Sequence, residues 1–468
     1  MPPTIHFYDS QFIGGPAAGQ LVSFDSLALS GDHVAQYQTK ISLRPDVAFN
    51  PQSIEQGDCF ALDMTGGISE YEWSRKAHDL FAAQDSLHVG VGNTGVLDSY
   101  VRFAFYRCLS LLPNTTHPTG AHYLDLLTVC RALNLLRPES MPISLPNHWG
   151  EQRKREFVFN RFPGESRSDS VKEFAKCITA ASPKLMAHAI GHSSPEMIGN
   201  LCGLVDGRIE SLADLKPVFL CHEQLLAGHG CGVFVALGTD PQYRNIVYMI
   251  DLQADLAALI EDRGSNVARF IRTEASQQDR PVVRVNLNRV PFVSPLSVLD
   301  RNTATRLGID AGGVKRNAEL LIDKVDICLA LLEVSSASDA NLNGDPDFQL
   351  YGAEYLPADR ALLDQLHRSA ASEWEPLITS AQDARITTLG QRLIRRCAPA
   401  LLSEGDLNLW RAHCVGRLIG RANEPRIAET RAYCNTIASS NAYPPGMRTA
   451  AQHWLQTTET VNEFRNNV

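Results

Sequence analysis

The chain has no apolar run near the roughly 18 residues that a membrane-spanning helix needs, so no membrane span is expected. The opening Met1-Pro2-Pro3-Thr4-Ile5-His6 lacks a basic start and an apolar core, so no secretory signal is expected there. Eleven cysteines are scattered over 468 residues without a spaced framework. That excludes a disulfide scaffold and points to reduced thiols in a cytoplasm. Positive charge is also short: 43 Lys and Arg stand against 52 Asp and Glu, a net −9. This argues against a nucleic-acid partner for the chain as a whole, while leaving room for a local basic groove. There is no internal repeat and no low-complexity tract.

What is there fits a soluble globular protein, 44% apolar and 20% charged, long enough for two or three domains. Residues 5 to 62 read as β-rich, with strands near Ile5–Tyr8, Gln20–Leu29 and Ala35–Leu43 before the loop prolines Pro45 and Pro51. Helical spacing follows at Trp73, Ala77, Leu80 and Phe81, and again along Val101, Phe105, Leu109 and Leu112. It returns in Leu124–Leu136 and Val171–Ala180, so the first part alternates strand and helix as an α/β domain does. From about 216 to 300 the texture is β again, at Val233–Leu237, Asn245–Leu252 and Val282–Leu287. After a small-residue linker, Ser335–Asp347, the chain reads as helical to its end.

Some motifs mislead. Gly90-x-Gly92-x-x-Gly95 follows a strand and opens a helix as a dinucleotide fingerprint does, but no acidic residue or second strand lies about twenty residues on to hold a ribose. Cys221-His222 with His229-x-Cys231 has zinc-ligand chemistry, yet neighbouring residues of a strand point to opposite faces. His188 and His192 share a helix face by spacing, without a metalloprotease glutamate between them. The basic clusters Arg153-Lys154-Arg155 and Arg392-Leu393-Ile394-Arg395-Arg396 read as solvated faces rather than as phosphate tracks.

The segment Phe7-Tyr8-Asp9-Ser10-Gln11-Phe12-Ile13-Gly14 resembles the Asp-x-Glu-Thr-x-Gly opening of the DEDD 3′→5′ exonucleases, and specifically that of exonuclease I. Four further stretches resemble the same family in the same order. They are Gly90–Arg107 with Asn93 and Phe105-Tyr106-Arg107; Leu124-Asp125-Leu126-Leu127 running to Arg137-Pro138-Glu139; Val285–Pro291 with Arg306–Ile309; and Gln349-Leu350-Tyr351-Gly352 with Asp359-Arg360. The resemblance implies an α/β RNase H-like exonuclease domain at 1–183. An SH3-like β-rich domain would follow at 184–336, and a helical C-terminal domain at 337–468.

The family's chemistry uses two divalent ions, Mg²⁺ or Mn²⁺, held by four carboxylates beside a histidine general base. Carried over position by position, Asp9 is kept and Gln11 stands for the glutamate. Leu97 stands for the second aspartate, with Asp98 one residue later and about 100° round a helix. Ser168 stands for the histidine and Glu173 for the last aspartate, with Lys172 beside it. The metal would have to rest on Asp9 and Glu173, with Asp98 and Asp169 as substitutes. The resemblance, with these changes, implies a pseudo-nuclease acting as a single-stranded DNA-binding or protein-interaction subunit of a repair, mobile-element or defence assembly. The alternative is an active exonuclease with a rearranged two-metal site. Arg107, Arg131, Arg137 and Lys216 stand at positions that are basic in the family and are the expected nucleic-acid contacts. Asp300 and Ile322 replace basic residues where the family receives the acidic tail of single-strand-binding protein, so that partner is not expected and another protein partner is.

Overall fold

The structure is a computed structural model that describes residues 4–47, 66–83, 85–110, 122–141, 143, 145–146, 149–209, 215–222, 230–240, 243, 245–262, 267–272, 277, 279–322, 324, 344–352, 354–419, 424–443, 445, 447–449 and 451–456. Its first sheet holds β1 (Thr4–Ile13), β2 (Gln20–Ser30), β3 (His33–Lys40), β4 (Ser86–Gly90) and β5 (His122–Asp125). The spatial order is β3-β2-β1-β4-β5. β1 pairs antiparallel with β2 and parallel with β4, and β4 is parallel to β5. β1 is longer than the sequence suggests, so Asp9 and Gln11 lie inside a strand near the centre of the sheet. A register shift between Gln11 and Phe12 then bends the strand's end.

Strand alternation sorts β1 between two cores. Tyr8 and Phe12 enter a cluster with Phe24, Trp73, Phe81, Leu97 and Phe105, under α1 (Glu70–Ala82) and α2 (Asp98–Arg107). Phe7 enters the other cluster, with Leu27, Val89, Leu127, Val158 and Phe174. That face is covered by α3 (Leu126–Leu136), α4 (Glu151–Arg161) and α5 (Arg167–Ala181). α1 begins in a capping box between Ser69 and Glu72, the local reason it starts there. α2 stops at Arg107, short of the periodicity read from the sequence, because Leu109 turns to φ +55°; Leu112 lies outside the described residues.

The second sheet has the order β11-β6-β7-β8-β10-β9, from β6 (Val218–Cys221), β7 (Cys231–Thr239), β8 (Ile246–Asp251), β9 (Ile271–Arg272), β10 (Val282–Asn286) and β11 (Phe292–Pro295). Phe219, Cys221 and Phe292 pack into the α3 side of the first core, which joins the two sheets. Cys221 lies directly opposite Cys231 across β6 and β7; His229 lies outside the described residues. His188 and His192 stack with ring centroids 4.3 Å apart, and the Nε2 of His188 lies 2.8 Å from the Val293 carbonyl.

The final part is helical, including Pro357–Leu366, Ala384–Cys397 and Glu404–Ile419. It is joined to the first part by buried charge. Asp46 takes the Arg396 Nε at 3.1 Å and the Arg417 Nη1 at 3.2 Å, while Asp347 takes Arg392 at 3.2 Å. Glu70 holds Arg107 at 2.7 Å and Arg44 at 3.2 Å. The cluster 392–396, expected on a solvated face, therefore sends Arg392 and Arg396 into an interior network. Among the described residues no helix is long and apolar enough to cross a membrane.

A buried histidine pair stitches β1 to β4. His6 and His88 are register partners, their Nδ1 atoms 2.9 Å apart, with Ser26 and Ser86 holding the outer nitrogens at 3.0 and 2.8 Å. Burial lowers the His6 pKa from 6.5 to about 3. The unfolded chain then takes up a proton below pH 6.5 that the folded chain refuses. The stability from a neutral His6 is full above about pH 6.5 and declines as pH falls from there. About 2 kcal/mol is expected to be lost by pH 5. Thermal melts across pH 5–8 check this: His6→Phe should show a shallower decline whatever its absolute Tm.

Candidate functional site

Asp9 is fully buried and faces α4 and α5. Its register partner on β2 is Asp25, so two carboxylates share one face of the sheet side by side. The Arg155 Nη2 of α4 donates to the Asp9 Oδ1 at 2.6 Å, and the Arg167 Nε at the start of α5 donates to Oδ2. Each carboxylate oxygen thus has its own guanidinium. Arg155 is wholly buried and also bonds the Val91 carbonyl. Arg167 is a quarter exposed and lies flat over the Phe159 ring, 3.9 Å from its centroid. Asp25 is spent on the same helix start: it accepts the Arg167 backbone N–H at 2.7 Å and the Ser168 hydroxyl at 2.7 Å. The N-terminus of α5, capped by Ser166, adds a favourable dipole to that anion.

Gly92 makes room for this arrangement. Its φ is +65°, and a Cβ there would meet the Arg155 Cδ at 3.2 Å. Its N–H donates to Asp125, which also caps α3 and takes the Thr94 hydroxyl. The glycines that mimic a nucleotide fingerprint therefore pass a buried arginine to the sheet.

The other expected ligands do not converge on Asp9. The Gln11 Oε1 accepts the Ser23 hydroxyl at 3.1 Å. Leu97 ends a single π turn, Asn93–Leu97, and is fully buried in the α1–α2 cluster. Asp98 stays on that same face of the sheet, taking the Tyr8 hydroxyl at 2.5 Å; Tyr8 precedes Asp9 on the strand and points the other way. Burial raises the Asp98 pKa, which disfavours its service as a charged ligand. Ser168 is buried against Asp25, and its neighbour Arg167, rather than Ser168, reaches Asp9. Asp169 binds Lys172 and Ser166 at the helix start. Glu173 is corrected outright: it is 47% exposed and paired with Lys176, on the solvent side of α5.

A divalent ion needs several charged oxygens at once. Here both Asp9 oxygens are held by arginines, Asp25 is engaged, and Gln11 offers only an amide. Among the described residues no three His, Cys, Asp or Glu side chains gather as a metal ion would require. The donor set does not fit the family's two-metal chemistry.

The expected nucleic-acid contacts separate in the same way. Arg107 is buried on Glu70 and the Pro16 and Ala17 carbonyls, so it is a structural cation. Arg131 is nearly covered, 3.5 Å from Glu151. Arg137 is partly exposed at the end of α3 and reaches Asp300 at 3.8 Å, while Lys216 is exposed beside Gly203. Asp300 caps the helix Arg301–Arg306 through Thr303. Ile322 lines a cavity of about 390 Å³ with Leu215, Leu296, Leu299 and Val314.

The sheet, the second β unit and the closing helices define an exonuclease-type architecture whose first site is filled by arginines. Residues 209–334 match the exonuclease I SH3-like domain and residues 344–457 the exonuclease I C-terminal domain. The Escherichia coli (strain K12) exodeoxyribonuclease I is 24% identical over 364 residues, 74% of this chain and 74% of that protein. The Buchnera aphidicola (strain Sg) exodeoxyribonuclease I is 24% identical over 370 residues, 75% of this chain and 73% of that one. The E. coli exonuclease I solved with a dA16 oligonucleotide superposes with TM-score 0.80 at 18% identity, covering 98% of this chain and all of that one. A Methylocaldum szegediense exonuclease I superposes at 0.78, with 20% identity and 98% and 99% coverage. The chain is an exonuclease I-like protein.

Because Asp9 and Arg155 are both fully buried, removing Arg155 strips the Asp9 Oδ1 of its donor and leaves Arg167 as the one guanidinium on a buried carboxylate. Arg155→Leu is expected to destabilise by about 3–5 kcal/mol. Adding Asp9→Asn should recover much of that loss, a coupling that denaturant melts of the double-mutant cycle measure directly.

Proposed function

We propose that this chain is a pseudo-nuclease: an exonuclease I-like protein that holds single-stranded DNA or a protein partner without hydrolysing it. One observation carries the reading. The Asp9 carboxylate, the one ligand of its expected set kept unchanged in the sequence, has a guanidinium on each oxygen. The two arginines supply the positive charge that metal ions would otherwise bring, but neither activates a water. A positioned general base is worth about 10²–10⁴ in rate, and the place of the family's histidine is taken by Ser168 beside Arg167. On this reading no step runs through a metal, and the scaffold divides as 1–183, 184–336 and 337–468. It would serve as the binding subunit of a repair, mobile-element or defence assembly.

The second reading is an active exonuclease with a rearranged site. What favours it is the company the chain keeps, relatives that carry the name exodeoxyribonuclease I along most of its length. A solved relative, the E. coli exonuclease I, is known in a zinc-bound complex with single-stranded DNA. Another solved relative is exonuclease I with SSB, a partner we leave out for this chain because Asp300 puts a carboxylate, 3.8 Å from Arg137, where a basic residue is expected.

The two readings part in a 3′-end digestion assay on labelled single-stranded DNA with Mg²⁺ or Mn²⁺. Wild type is expected to be indistinguishable from Asp9→Asn, with full-length substrate recovered from both. Digestion by wild type that Asp9→Asn abolishes would sink the pseudo-nuclease reading.

A further inference from the structure

The basic cluster on α4 is split by the fold. Lys154 and Arg155 turn inward, and Arg153 turns out. Arg153, Phe157 and Arg161 follow one another at intervals of four, about 6 Å apart along the helix axis, and Trp149 stands just before the helix start. They form one ridge on the side of α4 away from Arg155. The Arg153 guanidinium lies 4.5 Å from the Trp149 ring centroid, and Trp149 meets Phe157 edge-on at 5.5 Å. Arg161 sits 6.0 Å from the Phe162 ring. Trp149 and Phe157 are half-buried, and Arg153 and Arg161 are exposed. Among the described residues neither arginine has a carboxylate partner. Glu151 is committed to Arg131, and Glu156 forms no ion pair with either arginine. The helix's buried residues are Lys154, Arg155 and Val158, and of the ridge only Phe157 also packs against the core.

We propose that the ridge Trp149–Arg153–Phe157–Arg161 is a docking track for single-stranded nucleic acid, resting on the DNA-binding form of the function proposed above. Guanidiniums without carboxylates call for an anionic partner. Aromatic faces between them suit unpaired bases, which stack on any π surface whatever their identity. Arginine already lying over an aromatic ring is held where it serves both a phosphate and a stacked base. A duplex hides its bases, and an acidic peptide has no ring to stack, so the alternation of the two residue types favours the single strand.

Anisotropy of a labelled oligothymidylate, titrated with full-length protein at several salt concentrations, tests the track. The variants are Arg153→Glu/Arg161→Glu, Trp149→Ala, and a control of equal charge change on another helix, Lys315→Glu/Arg316→Glu. Circular-dichroism melts of each variant report folding. The ridge reversal should weaken binding at least ~10-fold and flatten the slope of log affinity against log salt by about 1.4, two contacts at about 0.7 each. Trp149→Ala should weaken binding with the slope unchanged, and the control should bind as wild type does. Ridge variants that bind like wild type, or a control that loses as much, would overturn the track and leave DNA binding by this chain standing. A wild type that binds no oligonucleotide would overturn both the track and the DNA-binding form of the function.

Discussion

A carboxylate fully removed from water cannot stand alone, and Asp9 stands beside a second one, Asp25, on the same face of the sheet. Isolated buried ions cost several kcal/mol each, so cations must come from somewhere. A metal site would meet this need with divalent ions borrowed from solution. This chain solves it with guanidiniums that belong to α4 and α5. The difference reaches beyond charge. A tethered cation is always present, and it pins its own helix. α4 is therefore drawn onto β1 through Arg155, and α5 is set by Arg167, by Ser166 capping the Asp169 N–H, and by Asp25, which accepts the Arg167 N–H and the Ser168 hydroxyl. Gly92 has to lack a side chain because Arg155 passes it. The positions of α4 and α5 over the sheet follow from neutralising the paired anions of β1 and β2.

The same chemistry recurs where the closing helices meet the first sheet. Asp46 and Asp347 are wholly buried, and Arg396 and Arg417 each bridge both of them. The arginines beside Asp347 hold its carboxyl well below the usual range despite its burial. Such networks contribute little net stability compared with apolar packing of the same volume. What they fix is alignment, since an ion pair a residue out of register leaves bare charge behind. The molecule thus uses arginine twice for one purpose, once to close a site and once to seat a domain.

The order of elements was legible because strand and helix periodicity depend on local spacing, and the family resemblance rested on short motifs kept in sequence. The ligand changes at Gln11, Leu97 and Ser168 were legible as well. What replaced them was not. Asp25 becomes a neighbour of Asp9 only through hairpin register, which the loop between β1 and β2 does not encode in any simple way. Arg167 was passed over because its neighbour Ser168 fitted the expected spacing better. Arg155 did leave a signal. It shares the inward side of its helix with Val158, and a charge at such a position demands a buried partner. Treating its cluster as solvent-facing averaged three side chains that the helix sends in different directions. Glu173 failed for the same reason, since position along a motif does not say which side of α5 a carboxylate occupies.

Filling a metal site with arginine also changes what reversion would take. Supplying carboxylates one at a time does not rebuild the site while the guanidiniums remain. A glutamate at 11 would add an anion to a face already balanced between two acids and two arginines. An aspartate at 97 would sit in the cluster of Tyr8, Phe12, Trp73 and Phe105, where no cation waits for it. Removing Arg155 first leaves buried Asp9 with Arg167 as its one guanidinium and Oδ1 without its donor, so that intermediate loses stability too. Each single step toward a working two-metal site therefore costs stability before it yields any chemistry. On the pseudo-nuclease reading proposed above, the scaffold is released from catalysis at its centre but keeps its outer surfaces. On that reading, selection acts through what those surfaces bind. This is the physical reason for looking to the outside of α4, rather than to the sheet, for the contacts that matter.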